Sequence, residues 1–321
     1  MKVFKGVDLT AMPAMVSPPR TGRLLILDGD AAAYRAASTV VRLPTAIRKF
    51  WSIVLTEMYV TNSEFASVHL TSADCVKLHR KLYPTSKAYQ ANRTGKDKPP
   101  LLEPLREALV TAKDRPEYVS VILNRYMEAD DAMRIEAESW SDRDLVISSA
   151  DKDLRQVTQP YFETRTGAID VIKDTFGWVG LSHTNSGVAK LTGHGNAFVL
   201  AQWLAGDTAD NVVGLRSYKG KRIGAVGAAA AVGEWGNETA AIIQTLRAYA
   251  KIRQDPLAEL AMLWLLRSPD DSAYKWLLEH DLPQKWVSWL DALNDRHQKI
   301  LGAAHAKDGE DSAEDMDAEA T

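Results

Sequence analysis

Three short, largely apolar runs, each followed closely by acidic residues, constrain the fold of this 321-residue chain more than any other feature. The runs are 24–27 (LLIL), 119–123 (VSVIL) and 145–147 (LVI). Runs of this kind are typical of strands that are covered on both faces, as in a parallel sheet. A helical or turn-like pattern follows each run. The repeated order of strand, acidic turn and helix predicts an α/β fold with a central, mostly parallel sheet flanked by helices.

The rest of the pattern divides the chain into four predicted regions. A helix is predicted over 196–205, where Gly206 ends it, and later helices contain many tryptophans that we expect to pack in a core. Residues 308–321 carry seven acids and no Lys or Arg, so the formal net charge of −3 conceals a mildly basic body. The predicted regions are an N-terminal extension (1–22), an α/β core (23–190), a helical region (191–300) and an acidic, disordered tail (301–321).

Composition excludes several classes of protein. The single cysteine, Cys75, rules out an intramolecular disulfide and disfavours a cysteine-based zinc site. No window approaches the ~18 apolar residues of a membrane span, and the first twenty residues lack the apolar stretch of a signal peptide. We therefore expect a soluble, cytoplasmic protein, without a membrane partner and monomeric.

Acidic residues stand where the predicted strands end. Ligand sites of open parallel sheets form beyond the carboxyl ends of the strands, so we expect these acids to converge. Convergence without cations would raise their pKa values strongly, and Lys152 is the one obvious basic residue in these turns. The eight carboxylates are Asp28, Glu128, Asp130, Asp131, Asp151, Asp153, Asp207 and Asp210.

A set of oxygen ligands without Cys or His favours Mg²⁺, with Mn²⁺ able to substitute. Eight acids suffice for two ions, an arrangement that suits phosphodiester hydrolysis. Each motif alone has an ordinary structural explanation, such as a turn or compensation of a helix dipole. Their chance occurrence together, in this order and behind these elements, is far rarer.

Together, five stretches resemble the flap-endonuclease superfamily, above all the bacteriophage-type 5′–3′ exonucleases and the 5′-nuclease domains of bacterial DNA polymerases. They span roughly residues 24–230. The resemblance implies a PIN-like 5′-nuclease fold with a helical arch at about 77–115 and a C-terminal DNA clamp of helix-hairpin-helix type. The stretches are 25–30 (LILDGD), 89–93 (YQANR), 128–132 (EADDA), 149–154 (SADKDL) and 206–214 (GDTADNVVG).

The resemblance also implies roles for single residues. Arg93 would reach the scissile phosphate from the arch, and Tyr34 would lie near the terminal base. Asp153, Asp207 and Asp210 would place or tune the second metal ion. The residues around the first ion would be Asp28, Glu128, Asp130, Asp131 and Asp151.

The chain departs from the family pattern in three places. Gln90 stands where the family usually has Lys, and Lys87 or Lys96 are possible substitutes. The family's further acid near 66–70 is missing, since Asp74 is out of register. The family's Gly-Ile-Gly-Pro-Lys hairpin is replaced by 222–227 (RIGAVG), which keeps the glycines and lacks the lysine.

Two basic segments are predicted to contact DNA. Residues 77–98 hold seven Lys or Arg and one acid, with two tyrosines among them, which suits a channel that follows the nucleic-acid backbone. A solvated basic face is the alternative for this segment. Around 216–224, glycines would let the backbone approach phosphates, and the predicted contacts are Lys219, Lys221, Arg222 and Gly224.

These features predict a metal-dependent 5′–3′ exonuclease or structure-specific 5′ nuclease that acts on duplex DNA with a 5′ end, a flap or a nick. RNA in RNA–DNA hybrids stays open as a substrate, as do roles in replication, recombination and DNA degradation. The acidic tail is either inert or a site for a replication partner. The alternatives are a haloacid-dehalogenase-like phosphatase, a non-catalytic DNA-structure binder, and a small-domain ribonuclease of related fold. The phosphatase would use Asp28 as nucleophile, although Ala32 stands where that family prefers Thr or Val.

Overall fold

The computed structural model describes residues 3–4, 7–8, 20–95, 97–164 and 166–319. The strands are β1 (Val3–Phe4), β2 (Val7–Asp8), β3 (Arg20–Asp28), β4 (Ser63–Thr71), β5 (Val119–Asn124), β6 (Leu145–Ser148), β7 (Tyr161–Glu163), β8 (Ala168–Asp170), β9 (Trp178–His183) and β10 (Ala189–His194). The α-helices are α1 (Gly29–Ala37), α2 (Leu43–Val60), α3 (Leu102–Val110), α4 (Ala129–Ser139), α5 (Asn196–Ala205), α6 (Ala225–Trp235), α7 (Glu238–Lys251), α8 (Pro256–Ala261), α9 (Ala273–Leu278) and α10 (Gln284–Glu319).

A six-stranded sheet forms the centre of the fold, in the order β5-β4-β3-β6-β7-β8. Its neighbouring strands are parallel except for β8, which runs antiparallel to β7. The predicted α/β class with a mostly parallel sheet is confirmed. The three apolar runs all lie in this sheet, as parts of β3, β5 and β6.

Helices cover both faces of this sheet and form a second core beyond it. Helices α1, α2 and α3 pack on one face through buried residues such as Phe50 and Leu105, whereas α4 packs on the other through Met133. Helices α5 to α10 share their own apolar core. There Trp264 and Trp276 stack with ring centroids 4.5 Å apart, as the predicted packing role of the tryptophans requires.

The two ends of the chain were predicted as separate regions. Residues 9–19 of the predicted N-terminal extension lie outside the described residues. At the other end, α10 continues as a helix through Glu319, so the backbone of the predicted tail is helical rather than irregular. The division into four regions stays a prediction. In the described part of the chain, no helix is long and apolar enough to cross a membrane.

Four turns place the acidic residues at one edge of the sheet. Asp28 ends β3 and caps α1, where its Oδ1 accepts hydrogen bonds from the N–H groups of Asp30 (3.0 Å) and Ala31 (3.2 Å). Glu128 precedes α4, and Asp151 caps the short 3-10 helix that follows β6. Parallel strands end at the same edge, and the acids converge there for that reason.

The fourth turn follows α5 and depends on glycine. Gly206 has a φ of +79°, and a Cβ atom there would lie 2.4 Å from the Val213 carbonyl oxygen, so no larger residue fits. The loop then closes through two backbone hydrogen bonds between Asp207 and Val212, of 2.8 and 2.7 Å. This tight loop fixes the carboxylates of Asp207 and Asp210 relative to the sheet.

Candidate metal centre and nucleic-acid cleft

A cleft of about 980 Å³ opens at the carboxyl edge of the sheet. Five of the eight predicted acids line it: Asp28, Glu128, Asp130, Asp151 and Asp210. The other three are buried close by, with relative exposures of 0% for Asp131, 8% for Asp153 and 5% for Asp207. The structure thus brings together carboxylates from all four turns.

We name Asp28, Asp130 and Asp151 the outer carboxylates. Ser149 Oγ donates to Asp28 Oδ2 (2.6 Å), and the Asp131 N–H donates to Asp130 Oδ1 (2.8 Å). Asp151 Oδ1 accepts from the Asp153 N–H at 3.0 Å. Among the described residues, no Lys, Arg or His forms an ion pair with any of the three.

The pKa values of two outer carboxylates reflect this lack of cations. Burial, followed by repulsion from Asp131 and Glu128, raises the pKa of Asp130 well above its usual value. Asp151 lies at the mouth of the cleft, where loss of hydration and the nearby Asp153 raise its pKa to about 7. Without a bound cation, Asp130 and Asp151 therefore favour the protonated form, and a cation in the cleft would favour their ionised form.

We name Asp153, Asp207 and Asp210 the deep cluster. Each offers an oxygen, and these oxygens all lie within 4.8 Å of one another. Lys152 Nζ donates to Asp153 Oδ1 at 3.0 Å and also contacts Asp207 Oδ2. Gln202 Nε2 donates to Asp153 Oδ1 at 2.6 Å. Burial, together with repulsion from Asp153, raises the pKa of Asp210 to about 6.

The deep cluster fits a hard divalent cation by its geometry, and the outer carboxylates offer the same kind of ligand in the same cleft. Their ligand atoms are carboxylate oxygens, which Mg²⁺ and Mn²⁺ prefer. A doubly charged ion would also remove the repulsion that raises the pKa values of Asp130, Asp151 and Asp210. The donors present therefore suit the predicted ions.

Glu128 and Asp131 pair with cations from the basic segment 77–98. Asp131 is fully buried, and both of its oxygens accept from the Arg80 guanidinium at 2.7 and 2.8 Å. Glu128 accepts from Lys77 Nζ (2.9 Å), from Arg80 (3.2 Å) and from the Tyr89 hydroxyl (2.7 Å). Burial opposes ionisation of Glu128, but Arg80 and Lys77 outweigh it and lower its pKa to about 2.

Protein cations pair with both carboxylates in this structure, and the metal-ligand role of Glu128 and Asp131 stays a prediction. Sequence reasoning had named Lys152 as the basic partner in these turns and had missed Lys77 and Arg80. Both belong to the basic segment that was assigned to DNA alone. The signal available in the sequence was the density of Lys and Arg in that segment.

We name residues 77–95 the strap. It contains two short 3-10 helices, Lys77–Leu82 and Ala91–Arg93, and the only α-helix of the predicted arch region in the described residues is α3. Positive φ angles at Lys77, Leu78, His79 and Gln90 prevent a continuous helix here.

The strap is tied to the turn of the deep cluster. Arg93 donates to Asp210 Oδ1 (2.6 Å) and to the Ala209 carbonyl (3.2 Å), while 48% of its side chain stays exposed. Gln90 Nε2 donates to Asp210 Oδ1 (2.9 Å) and Glu128 Oε1 (3.1 Å). Gln90 thus joins two acids at the position where the resembling family usually carries a lysine.

Solved structures with a similar fold are known from bacteriophage T5. A T5 5′-exonuclease with bound zinc ions has a TM-score of 0.53 at 17% identity, and covers 87% of this chain and 99% of its own. A T5 flap endonuclease in a pseudo-enzyme–product complex with DNA and metal ions has a TM-score of 0.52 at 17% identity over the same shares. A T5 protein co-crystallised with metal ions has a TM-score of 0.50 at 18% identity, covering 87% of this chain and 98% of its own.

This chain has the fold of the T5 5′-exonuclease. The expected PIN-like sheet with flanking helices and a C-terminal helical region is confirmed. No protein-family profile matches the sequence, and no curated protein sequence matches it significantly.

The remaining predicted DNA contacts lie on the surface of this 5′-exonuclease-like fold. Tyr34 lines the cleft and is 49% exposed. Lys87 is exposed on the strap, whereas Lys96 lies outside the described residues. The predicted clamp residues are all exposed in the loop before α6: Lys219, Lys221, Arg222 and Gly224.

The cleft also contains side chains that sequence reasoning did not select. Asp30 and Arg106 form an ion pair of 2.8 Å on its wall. Lys81 and Lys98, which belong to the basic segment predicted to contact DNA, line the cleft as well. Asp30 belonged to the recognised Asp-Gly-Asp motif, so it could have been found. Arg106 lies on α3, and nothing in its local sequence marks the turn of the helix that faces the cleft.

Proposed function

We propose that this chain is a metal-dependent 5′ nuclease of the flap-endonuclease superfamily, which hydrolyses phosphodiester bonds at or near DNA 5′ ends. The observation that carries the proposal is the convergence of Asp28, Asp130 and Asp151 in one cleft, where no basic side chain of the described residues forms an ion pair with them. The likeness of the fold to a T5 flap endonuclease, whose structure contains DNA and metal ions, supports it.

The outer carboxylates would hold one Mg²⁺ ion and the deep cluster a second. When bound, such ions lower the pKa of an attacking water and stabilise the leaving oxygen, so no nucleophilic Ser, Cys or His is required. Asp28 is kept in place by the helix cap and by Ser149. Glu128 and Asp131, which pair with Lys77 and Arg80, would hold the strap beside the site.

The substrate backbone would follow the basic surface of the cleft. Arg93 is half-exposed at the cleft and is positioned to exchange Asp210 for a phosphate of the substrate. Tyr34 offers an exposed ring to the terminal base. The loop before α6 would hold the duplex through phosphate contacts that carry no sequence information. Cleavage would leave a 5′-phosphate, on duplex ends, nicks or flaps of DNA, and RNA–DNA hybrids are a further substrate to test.

The test is a cleavage assay on 5′-labelled blunt, nicked and flapped duplexes in Mg²⁺, Mn²⁺ or EDTA. Asp130→Asn should reduce Mg²⁺-dependent cleavage by at least ~10²–10³-fold, since it removes a ligand whose ion supplies several kcal/mol. DNA binding in Ca²⁺, followed by fluorescence anisotropy, should survive. Asp142→Asn changes an exposed acid outside the cleft and serves as the matched control.

Two results would overturn the proposal. One is Mg²⁺-dependent cleavage by Asp130→Asn at the rate of the unaltered chain. The other is hydrolysis of a small phosphomonoester without hydrolysis of any labelled DNA, which would favour the phosphatase alternative.

A further inference from the structure

Lys152 has an unusual place for a basic side chain, inside the deep cluster. Its ammonium group donates to Asp153 Oδ1 at 3.0 Å and contacts Asp207 Oδ2, so it bridges two of the three acids. The oxygens that it bridges belong to the set lying within 4.8 Å of one another. The ammonium group therefore stands where a cation held by these carboxylates would stand.

The other contacts of the deep cluster do not replace this charge. Gln202 Nε2 donates to Asp153 and, at 3.3 Å, to Asp207, but an amide is neutral. The Ala209 N–H donates to Asp207 Oδ1 at 2.8 Å. Arg93 reaches only Asp210 within the cluster. Lys152 is thus the one cation, among the described residues, that contacts both Asp153 and Asp207.

We propose that Lys152 is a built-in competitor for the second metal ion, so that the deep cluster binds a divalent cation only when the lysine side chain leaves. This inference rests on the proposed function, because it takes the deep cluster to be a metal site. An ammonium group and a divalent cation repel each other strongly at this range and cannot share the same carboxylate oxygens. In the part of the chain that the structure describes, no lysine or arginine pairs with the outer carboxylates, so they fill first.

The structure lets the lysine move. Its side chain is 41% exposed, whereas the side chains of Asp153 and Asp207 are 11% and 4% exposed. The flexible four-carbon stem can therefore swing towards solvent while the carboxylates stay fixed. Without metal, the lysine would hold the deep cluster together by screening its mutual repulsion.

Gln202 can adapt to the exchange. Its Oε1 is buried and has no hydrogen-bond partner among the described residues, while its Nε2 faces the acids. Rotation of the amide by half a turn would present this oxygen to the cluster in place of the N–H donor. The Gln202 amide can thus donate to the carboxylates when the lysine ammonium is present and offer its oxygen when a metal ion replaces it.

The test is a titration of the metal-free, full-length chain with Mn²⁺, with binding counted by calorimetry and by electron paramagnetic resonance of free Mn²⁺. The unaltered chain should show one tighter and one weaker site. Lys152→Met should tighten the weaker site by about tenfold or more, equivalent to about 1.4 kcal/mol, and leave the tighter site unchanged. Lys81→Met, a cleft lysine without an ion pair to the deep cluster in the described residues, is the matched control and should change neither site.

A second measurement guards against a folding defect. Lys152→Met and Lys152→Gln should both melt at a lower temperature than the unaltered chain in EDTA, because the deep cluster loses its cation, and Mn²⁺ should restore them. If the weaker site is lost or unchanged in both variants, Lys152 does not compete and the inference is wrong. If the unaltered chain binds no Mn²⁺ at all, the proposed function itself fails.

Discussion

The buried pair Arg80–Asp131 gives the sharpest test of how the site is built. Asp131 has no exposed surface, Arg80 is 3% exposed, and two hydrogen bonds of 2.7 and 2.8 Å join them. Removing one partner of a buried ion pair leaves the other charge without compensation, which costs about 3–5 kcal/mol. After Asp131→Asn, Arg80 keeps Glu128 and the Trp264 carbonyl, so we expect the lower end of that range.

The reverse substitution should cost more. Arg80→Met leaves Asp131 with the Leu266 N–H (3.1 Å) as its remaining long-range donor, and we expect a loss of about 5 kcal/mol. The double variant Arg80→Met/Asp131→Asn removes both charges, so its loss should be smaller than the sum of the two single losses by at least about 2 kcal/mol. Urea unfolding followed by tryptophan fluorescence, in EDTA throughout, measures these free energies.

The matched control is the exposed pair Arg125–Asp74. Its atoms approach to 2.8 Å, but its side chains are 57% and 65% exposed. Asp74→Asn should leave the urea midpoint unchanged, because exposed ion pairs contribute little. If Asp131→Asn proved as mild as Asp74→Asn, or if the two single losses simply added in the double variant, the reasoning about this pair would be refuted.

Two further predictions concern protons and salt. In EDTA, lowering the pH from 8 to 5 should increase the free energy of unfolding, with Asp210 contributing on the order of 1 kcal/mol. The reason is that burial and repulsion by Asp153 raise the pKa of Asp210 to about 6 and of Asp151 to about 7, so the folded chain binds protons in this window that the unfolded chain does not. In urea titrations, saturating Mg²⁺ should make the free energy of unfolding nearly independent of pH over this range. A free energy of unfolding that decreased from pH 8 to pH 5 in EDTA would contradict the prediction. For the clamp, Lys221→Ala should weaken duplex binding at every sequence and reduce the slope of log affinity against log salt by about 0.9, whereas Lys113→Ala, on an exposed turn before β5, should leave the slope unchanged. Anisotropy titrations at several KCl concentrations measure both slopes, and equal slopes would remove Lys221 from the clamp.

The sheet was predictable where burial dominates the sequence. The runs of β3 and β6 are apolar because their neighbours cover them, and β6 is buried along its whole length. The expectation of a strand covered on both faces fails for β5, an edge strand in which only Val119 is buried. Strands β8 and β9 were not predicted. The three residues of β8 are all exposed, and β9 lies at the surface in a two-stranded sheet, so neither has a run of core residues to mark it.

The candidate site was predictable to the level of which acids converge, but not to the level of which acids pair with cations. Asp130 and Asp131 are adjacent in the first turn of α4, so they point to different sides of the helix. Only tertiary packing decides that Asp131 meets Arg80, which lies 51 residues earlier in the chain. Local sequence carries no signal for a contact of that kind.

The strap contacts the C-terminal helical region at several points. Arg80 donates to the Trp264 carbonyl, the Ser86 N–H donates to Glu259 Oε1 (2.9 Å), and the rings of Tyr83 and His297 lie 5.3 Å apart. Those helices supply none of the eight carboxylates, but their contacts hold the strap in position beside the cleft. A shortened chain ending before α8 would keep all eight acids and lose the contacts that position the strap beside them. Under the proposed function, the far end of the chain would therefore affect how a nucleic-acid strand enters the cleft.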